Sequence, residues 1–136
     1  MSFKFKQILL VGILAIGTLF FASQTANAQR FTKRVFARQF VDGDAKDVKV
    51  AFSPKDKVVY CVIGLDAPAP NAVFKFVWKF QQTEVYQQEL TNQSGKNIVS
   101  MLSAPKGLSE GHYEVDLFVD GRPRGQLRFP VVKDQF

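Results

Sequence analysis

Cys61 and His112 are the only cysteine and the only histidine of this 136-residue chain, and together they could form a nucleophile and its base. Cys61 lies in an apolar run whose alternation points it, with Val59 and Ile63, toward one face of a strand. His112 alternates with Tyr113 and therefore points outward from a neighbouring segment. The pattern predicts a buried, inert thiol and an exposed imidazole that do not meet.

The sequence does not contain the ligands, or the ligand spacing, that a metal site or a phosphate-binding site requires. A structural zinc site needs four ligands, which one cysteine and one histidine do not supply. The acids of residues 42–47 suggest a calcium loop, but Lys46 and Asp47 occupy the positions of a ligand and of the invariant glycine. The chain has no Gly-x-Ser-x-Gly elbow and no phosphate-binding loop. We therefore predict a plain turn at residues 42–47, with no cofactor and no metal.

Carboxylates are the last candidate for catalysis. Glu110, Glu114 and Asp116 lie close enough in sequence to suggest the acid pair of a glycoside hydrolase. The strand pairing that we predict for this region matches Asp116 with Arg124, so we interpret these acids as a solvated charged face. The sequence thus predicts a protein that is not an enzyme.

Basic side chains are the remaining candidates, and they would bind a partner rather than react. Two segments carry them: a first strand from about residue 34, and the last strand of the chain. A solvated first strand is the ordinary alternative for the former. The candidate partner-binding residues are Arg34, Arg38, Arg122, Arg124 and Arg128.

Residues 1–28 read as a cleavable signal peptide. Lys4 and Lys6 precede an apolar run of residues 8–22, and residues 26–28 (Ala-Asn-Ala) form a signal-peptidase site. The run is shorter than the roughly 20 residues that span a bilayer, although an uncleaved anchor is the alternative. The leader holds two of the 18 basic residues and none of the 12 acids, which leaves a mature domain, residues 29–136, with 16 basic residues and a net charge of +4. We expect an exported bacterial protein, periplasmic or secreted, with no transmembrane span after cleavage.

The mature sequence contains short apolar segments separated by turn signals every 8 to 12 residues, and no amphipathic helix. This pattern predicts an all-β antiparallel sandwich of about seven to eight strands. The predicted strands start near residue 34 and then cover residues 48–52, 57–65, 72–80, 84–90, 97–102, 113–119 and 122–132. Fourteen phenylalanines indicate that aromatic burial stabilises the domain. The predicted core residues are Cys61, Phe74, Phe76, Trp78, Phe80, Tyr113, Val115, Leu117, Leu127 and Phe129.

The last two strands form a predicted hairpin around Asp120 and Gly121. A two-residue turn would place Val119 opposite Arg122 and bring apolar and basic faces together. We therefore predict a three-residue loop in which Gly121 forms a bulge. That register pairs Phe118 with Arg122 and Asp116 with Arg124, and places Arg124, Gln126 and Arg128 together on one face.

Two aromatic residues resemble markers of immunoglobulin-like sandwiches. Tyr113 follows Leu108 and Gly111 at the start of the penultimate strand, as in a tyrosine corner, and Trp78 occupies the place of the third-strand tryptophan. Cys61 stands where the first cysteine of such domains lies, but Val115 replaces the second. This departure implies sheets held together by packing alone. The pattern is similar to immunoglobulin-like modules of bacterial envelope proteins and extends, more weakly, back to about residue 34.

This resemblance implies an immunoglobulin or fibronectin-III-like fold but supplies no catalytic residue. We expect a binding or assembly module of the cell envelope that recognises a protein partner through a sheet edge or through end loops. The alternative is weak binding of an anionic glycan, lipid or nucleic acid by the basic faces, without specificity for nucleic acid. The sequence leaves the oligomeric state open.

Overall fold

The computed structural model describes residues 30–93 and 95–133, so the predicted signal peptide lies outside the described residues. The described part of the chain forms eight strands. In chain order they are β1 Phe31–Val41, β2 Asp44–Lys49, β3 Val58–Leu65, β4 Val73–Phe80, β5 Thr83–Thr91, β6 Asn97–Ser103, β7 Gly111–Val119 and β8 Arg122–Val131. No helix in this part of the chain is long and apolar enough to cross a membrane.

The strands form two antiparallel sheets of four strands each. Sheet A has the order β2-β1-β3-β6, and sheet B has the order β5-β4-β7-β8. The inner faces share one apolar core, which confirms the prediction of an all-β sandwich. The edge strands of the sheets are therefore β2 and β6 in sheet A, and β5 and β8 in sheet B.

The core contains a cluster of aromatic rings around Phe129 on β8. The ring of Phe129 lies 4.6 Å from Phe36, 5.0 Å from Phe52 and 5.0 Å from Tyr113, measured between centroids. Among the predicted core side chains, Phe80 and Leu127 are half-buried and pack against this cluster. The others are buried: Cys61, Phe74, Phe76, Trp78, Tyr113, Val115, Leu117 and Phe129.

A chain of hydrogen bonds joins the two sheets through this core. The indole Nε1–H of Trp78 on β4 donates to the hydroxyl of Ser100 on β6 at 3.0 Å, and that hydroxyl donates to Gln88 Oε1 on β5 at 2.8 Å. Trp78 is 0% and Ser100 1% exposed, so the indole nitrogen has no access to water. The buried polar group is satisfied by the facing sheet, which fixes the sheets relative to one another.

The tyrosine corner predicted at Tyr113 is present in the structure. The phenol oxygen of Tyr113 accepts a hydrogen bond at 3.1 Å from the backbone N–H of Ser109, four residues upstream. The ring itself stacks on Phe129 with an interplanar angle of 3°. One side chain therefore anchors the β6–β7 connection to the core.

The predicted register of the last hairpin is wrong. Asp120 and Gly121 form a two-residue turn with φ values of 51° and 82°, and Val119 does lie opposite Arg122. The bulge lies further along, where Arg124 and Gly125 both oppose one β7 residue, and Asp116 pairs with Gln126 rather than with Arg124. Gly125, with φ 122°, provides the left-handed backbone that the sequence argument had assigned to Gly121.

The register in the structure places Arg124 and Arg128 on opposite faces of β8, although they were predicted to share a face. Arg122 lies on the same side of the sheet as buried Val119, and alternation places Arg124 there as well. The guanidinium of Arg124 lies over the Phe31 ring, 4.6 Å from its centroid. Arg128 follows the bulge and pairs with Glu114 on the opposite, outer face.

The second strand was also predicted in the wrong place. Asp42 and Gly43 form a two-residue turn with φ values of 53° and 76°, so β2 begins at Asp44 instead of residue 48. The turn predicted for residues 42–47 is thus shorter than expected, because two left-handed residues suffice to reverse the chain. Phe52, the last residue of the predicted strand, lies beyond the end of β2 and forms a parallel bridge with Val131 at the end of β8.

Candidate partner-binding site

A cleft lies between the outer edge of β8 and the β1–β2 hairpin. Its volume is about 340 Å³. Three of its lining residues are cationic and the rest are apolar or neutral, with no acid among them. The lining residues are Arg34, Val35, Phe36, Val48, Lys49, Val50, Gln126, Leu127 and Arg128.

Part of the β8 edge that lines this cleft has outward-facing peptide groups with no strand paired to them. The direction of these groups follows from the two bonds at the end of β8, where the carbonyl of Pro130 accepts from Phe52 N–H at 3.0 Å and the N–H of Val132 donates to the Phe52 carbonyl at 2.9 Å. Because alternate residues of a strand direct their peptide groups to the same side, the peptide groups of Gln126 and Arg128 also point away from β7. Apart from the Phe52 bridge, no strand within residues 30–93 and 95–133 pairs with β8 on this side.

The Phe52 bridge and the Gly125 bulge bound this open stretch of edge. The segment after β2 crosses from sheet A to β8 and closes one end of the stretch. At the other end, Arg34 lies against Gly125, since a Cβ added at position 125 would stand 3.3 Å from Arg34 Nη1. The open edge is therefore short, about one or two residues with outward-facing peptide groups.

The three cations of the cleft differ in how far their charge is already neutralised. Arg128 Nε lies 3.0 Å from Glu114 Oε1, with 71% of the arginine side chain exposed. Lys49 Nζ lies 3.6 Å from Asp47 Oδ1. Arg34 makes no ion pair with any acid that the structure describes. Exposed pairs of this kind are worth little in water, so all three cations can attract an anionic partner.

The apolar part of this site was missed by the sequence analysis. Val50 is 85% exposed and Val48 51% exposed, and both line the cleft beside half-buried Leu127. Residues 48–52 were predicted as an ordinary strand, which gave no signal that a valine would remain in solvent. Together with the cations, these side chains make the surface amphipathic.

The other predicted partner-binding arginines lie outside the cleft lining. Arg38 is held between two acids, with Nε 3.0 Å from Asp56 Oδ1 and Nη1 3.5 Å from Asp47 Oδ2. Arg122 lies before the bulge, Arg124 is its first residue, and both lie on the inner side of β8. The structure therefore brings together Arg34 and Arg128, and it places Arg38, Arg122 and Arg124 elsewhere.

A second hollow, of about 380 Å³, lies beside the β4–β5 turn and is lined by Gln81, Gln82, His112, Tyr113, Glu114 and Arg128. It is larger, but Gln81 Oε1 in it accepts from the His112 backbone N–H at 2.6 Å, and the Glu114 carboxylate also lines it. A ligand there would have to displace the Gln81 hydrogen bond, and an anionic ligand would meet the Glu114 carboxylate. In the described part of the chain no acid lines the cleft beside β8, which is therefore the better candidate.

The residues considered for catalysis lie in structural positions. Cys61 is 0% exposed, and burial raises the pKa of its thiol far above the ordinary value. Asp116 was predicted to pair with Arg124; instead its Oδ2 lies 2.7 Å from Lys79 Nζ on the adjacent strand. Partial burial alone would raise the pKa of Asp116, but hydrogen bonding with Lys79, Glu114 and Gln126 together with the lysine charge outweighs burial and lowers it.

Within residues 30–93 and 95–133, no group of three or more histidine, cysteine, aspartate or glutamate side chains is placed to hold a metal ion. No protein-family model matches the chain, and no curated protein is significantly similar to it in sequence.

Proposed function

We propose that this protein is an exported, non-enzymatic binding module of the bacterial cell envelope. In this proposal, the cleft beside β8 recognises an extended, acidic segment of another envelope protein. The observation that carries it is the combination, in one cleft, of an unpaired strand edge, three cations and exposed aliphatic side chains.

The strand order supports an immunoglobulin or fibronectin-III-like type within the sandwich class. In sheet B, β4-β7-β8 correspond to strands C, F and G of such domains, and β5 takes the place of C′. In sheet A, β1-β3-β6 correspond to A, B and E. The Tyr113 corner lies on the strand equivalent to F, and Trp78 lies on the strand equivalent to C, as the type requires.

Export is proposed from the sequence of residues 1–28, with its two lysines, apolar run and Ala-Asn-Ala site. A domain that is held together by packing instead of a disulfide does not depend on the redox state of its compartment, which is compatible with a periplasmic or secreted location. The single cysteine is buried and so offers no external thiol.

An extended peptide suits the cleft better than a polyanion does. A peptide strand can bond to the outward peptide groups of Gln126 and Arg128 while its side chains alternate between the cleft and solvent. Its acidic residues would meet Arg34, Lys49 and Arg128. A polysaccharide or nucleic acid could use the same cations but would leave Val48 and Val50 in water.

Binding of a designed probe tests the proposal. The probe is a capped peptide of about seven residues, the length of an ordinary strand, with alternating glutamate and valine. Isothermal titration or NMR would give its affinity for the full chain. The double variant Arg34→Glu, Arg128→Glu should weaken binding by roughly a hundredfold, or about 2.7 kcal/mol, because two attractive charges become repulsive.

Two controls make the result decisive. Lys106→Glu reverses an exposed charge in the β6–β7 loop and should leave the affinity unchanged. A lysine-valine peptide of equal length should not bind. The proposal is wrong if the double variant binds the acidic probe like the native chain. Stronger capture of duplex DNA or anionic polysaccharide than of the peptide, with a steep loss in salt, would favour the anionic-ligand alternative.

A further inference from the structure

The edge strand β6 differs from the other three edge strands in having no protection against pairing. Its sequence, Asn-Ile-Val-Ser-Met-Leu-Ser, contains no charge and no proline. By contrast, β2 and β5 carry charged residues, and β8 carries arginines and two prolines. Charges and prolines on an edge normally prevent two sheets from joining, so their absence from β6 leaves a strand that can accept a neighbour.

The backbone of β6 shows which of its peptide groups face outward. Leu65 N–H donates to the Lys96 carbonyl, and Ala104 N–H donates to the Lys57 carbonyl, both at 2.7 Å. Even-numbered residues of β6 therefore direct their peptide groups toward β3. The odd-numbered residues direct theirs to the free edge, and no described strand pairs with them there. They are Asn97, Val99, Met101 and Ser103.

Exposed apolar side chains accompany this free edge. Met101 is 42% exposed on the outer face of sheet A, where it lies opposite Tyr60. Across the open side of the sandwich, Val85 is 51% and Tyr86 40% exposed. A shallow hollow of about 240 Å³ connects the two edges and is lined by Val85, Tyr86, Met101, Leu102 and Ser103.

We infer that β6 is a self-association edge, and that a second copy of this chain pairs with it in antiparallel orientation about a two-fold axis at Ser100. This register matches Asn97 with Ser103 of the second copy and Val99 with Met101 of the second copy. Each of these residues has outward peptide groups, so every match exchanges two backbone hydrogen bonds. The two copies of sheet A become one continuous sheet of eight strands.

The absence of charged residues on β6 favours a second copy of this chain as the strand that pairs with it. A two-fold axis places a strand against itself, so any charge near the axis meets its own copy. The uncharged β6 avoids this repulsion, whereas the arginines of β8 would repel one another. The same axis covers Met101 with Val99 of the second copy, which removes exposed apolar surface from water.

Hydrogen exchange measured at several protein concentrations tests the inference on the full chain. In dilute solution, the amides of Ile98, Ser100 and Leu102 should be protected by β3, and those of Val99 and Met101 should exchange freely. As the concentration rises and sedimentation velocity shows dimers, Val99 and Met101 should become protected as well. Amide protection that alternates from residue to residue along β6 in the monomer and becomes continuous in the dimer is specific to strand pairing at this edge.

Two matched variants complete the test. Met101→Lys introduces a charge at a half-exposed position, where the monomer tolerates it, and should raise the dimer dissociation constant by roughly a hundredfold, because each copy brings an unpaired ammonium into the joined sheet. Val41→Lys makes the same kind of change at a 45% exposed valine at the end of β1, a strand that β3 separates from β6, and should leave dimerisation intact. The inference is overturned by a chain that stays monomeric at all concentrations, by a dimer in which the Val99 amide exchanges freely, or by a dimer that Met101→Lys leaves unchanged. Loss of the dimer in Val41→Lys would also overturn it, because the interface would then lie on the β1–β2 side of sheet A.

Discussion

The substitution Ser100→Ala tests whether the two sheets are fixed to one another by the hydrogen bond that crosses the core. The hydroxyl of Ser100 accepts from Trp78 Nε1 at 3.0 Å and donates to Gln88 at 2.8 Å. Alanine keeps the backbone and nearly the same volume but removes both bonds. The effect on stability should therefore come from the polar groups and not from a cavity.

The magnitude follows from the burial of each partner. Trp78 is 0% exposed, so its N–H cannot turn to water and remains unsatisfied, at a cost of about 1–3 kcal/mol. Gln88 is half-buried and can be hydrated at its exposed side, so its loss adds little. We expect the free energy of unfolding to fall by about 2 kcal/mol, or roughly 8 °C in Tm for a domain of this size.

Urea unfolding followed by fluorescence measures this change directly, because Trp78 is the only tryptophan. Ser103→Ala, at an exposed position of the same strand, should change stability by less than about 0.5 kcal/mol. In a Trp78→Phe background, which has no indole N–H and whose unfolding is therefore followed by far-UV circular dichroism, Ser100→Ala should lose most of its effect. The reasoning is refuted if Ser100→Ala costs less than about 0.5 kcal/mol in the native background, or costs equally in both.

Two further predictions concern the corner and the outer face of sheet B. Tyr113→Phe removes the acceptor of the Ser109 N–H and should lower stability by about 1–2 kcal/mol in urea unfolding, whereas Tyr86→Phe, at a 40% exposed ring, should be neutral; equal effects would contradict the corner. Asp116 has a pKa below its ordinary value in the folded state, so its contribution to stability is present above the unfolded pKa of about 3.9 and is lost as the pH falls through the lower, folded pKa. Asp116→Asn should therefore weaken the native chain at neutral pH and flatten the acid limb of its stability curve, and an unchanged limb would show that the pair with Lys79 does not stabilise the fold.

Much of the fold could be predicted from the sequence where one local signal controls it. The alternation through Phe74, Phe76 and Trp78 marks the buried face of β4, and these side chains are fully buried. The tyrosine corner could be predicted because Leu108, Gly111 and Tyr113 are close in sequence. In both cases the residues that form the signal also form the structure.

The hairpin register could not be obtained in this way. Both Gly121 and Gly125 can adopt left-handed backbone, and the sequence does not show which of them carries the bulge. The choice depends on whether Arg122 and Arg124 can lie at the open end of the core, where Arg124 covers Phe31. That contact joins the first strand to the last strand of the domain, so no local sequence pattern indicates it.

The candidate site could be predicted only in part for the same reason. Arg34 and Arg128 were chosen as basic residues on separate strands, but their shared cleft arises from the packing of sheet A against sheet B. The exposed Val50 belongs to a segment that crosses between the sheets to reach Val131. Such a crossing depends on the tertiary arrangement and produces no periodic pattern of apolar residues in the sequence.

The most direct test of the proposed function is amide hydrogen exchange along β8 with and without the acidic peptide probe. The amides of Gln126 and Arg128 point to the open edge, and that of Leu127 points to β7. We predict that the probe slows exchange at Gln126 and Arg128 and leaves Leu127 as it was. Binding that leaves both outward amides unprotected would contradict recognition through this edge.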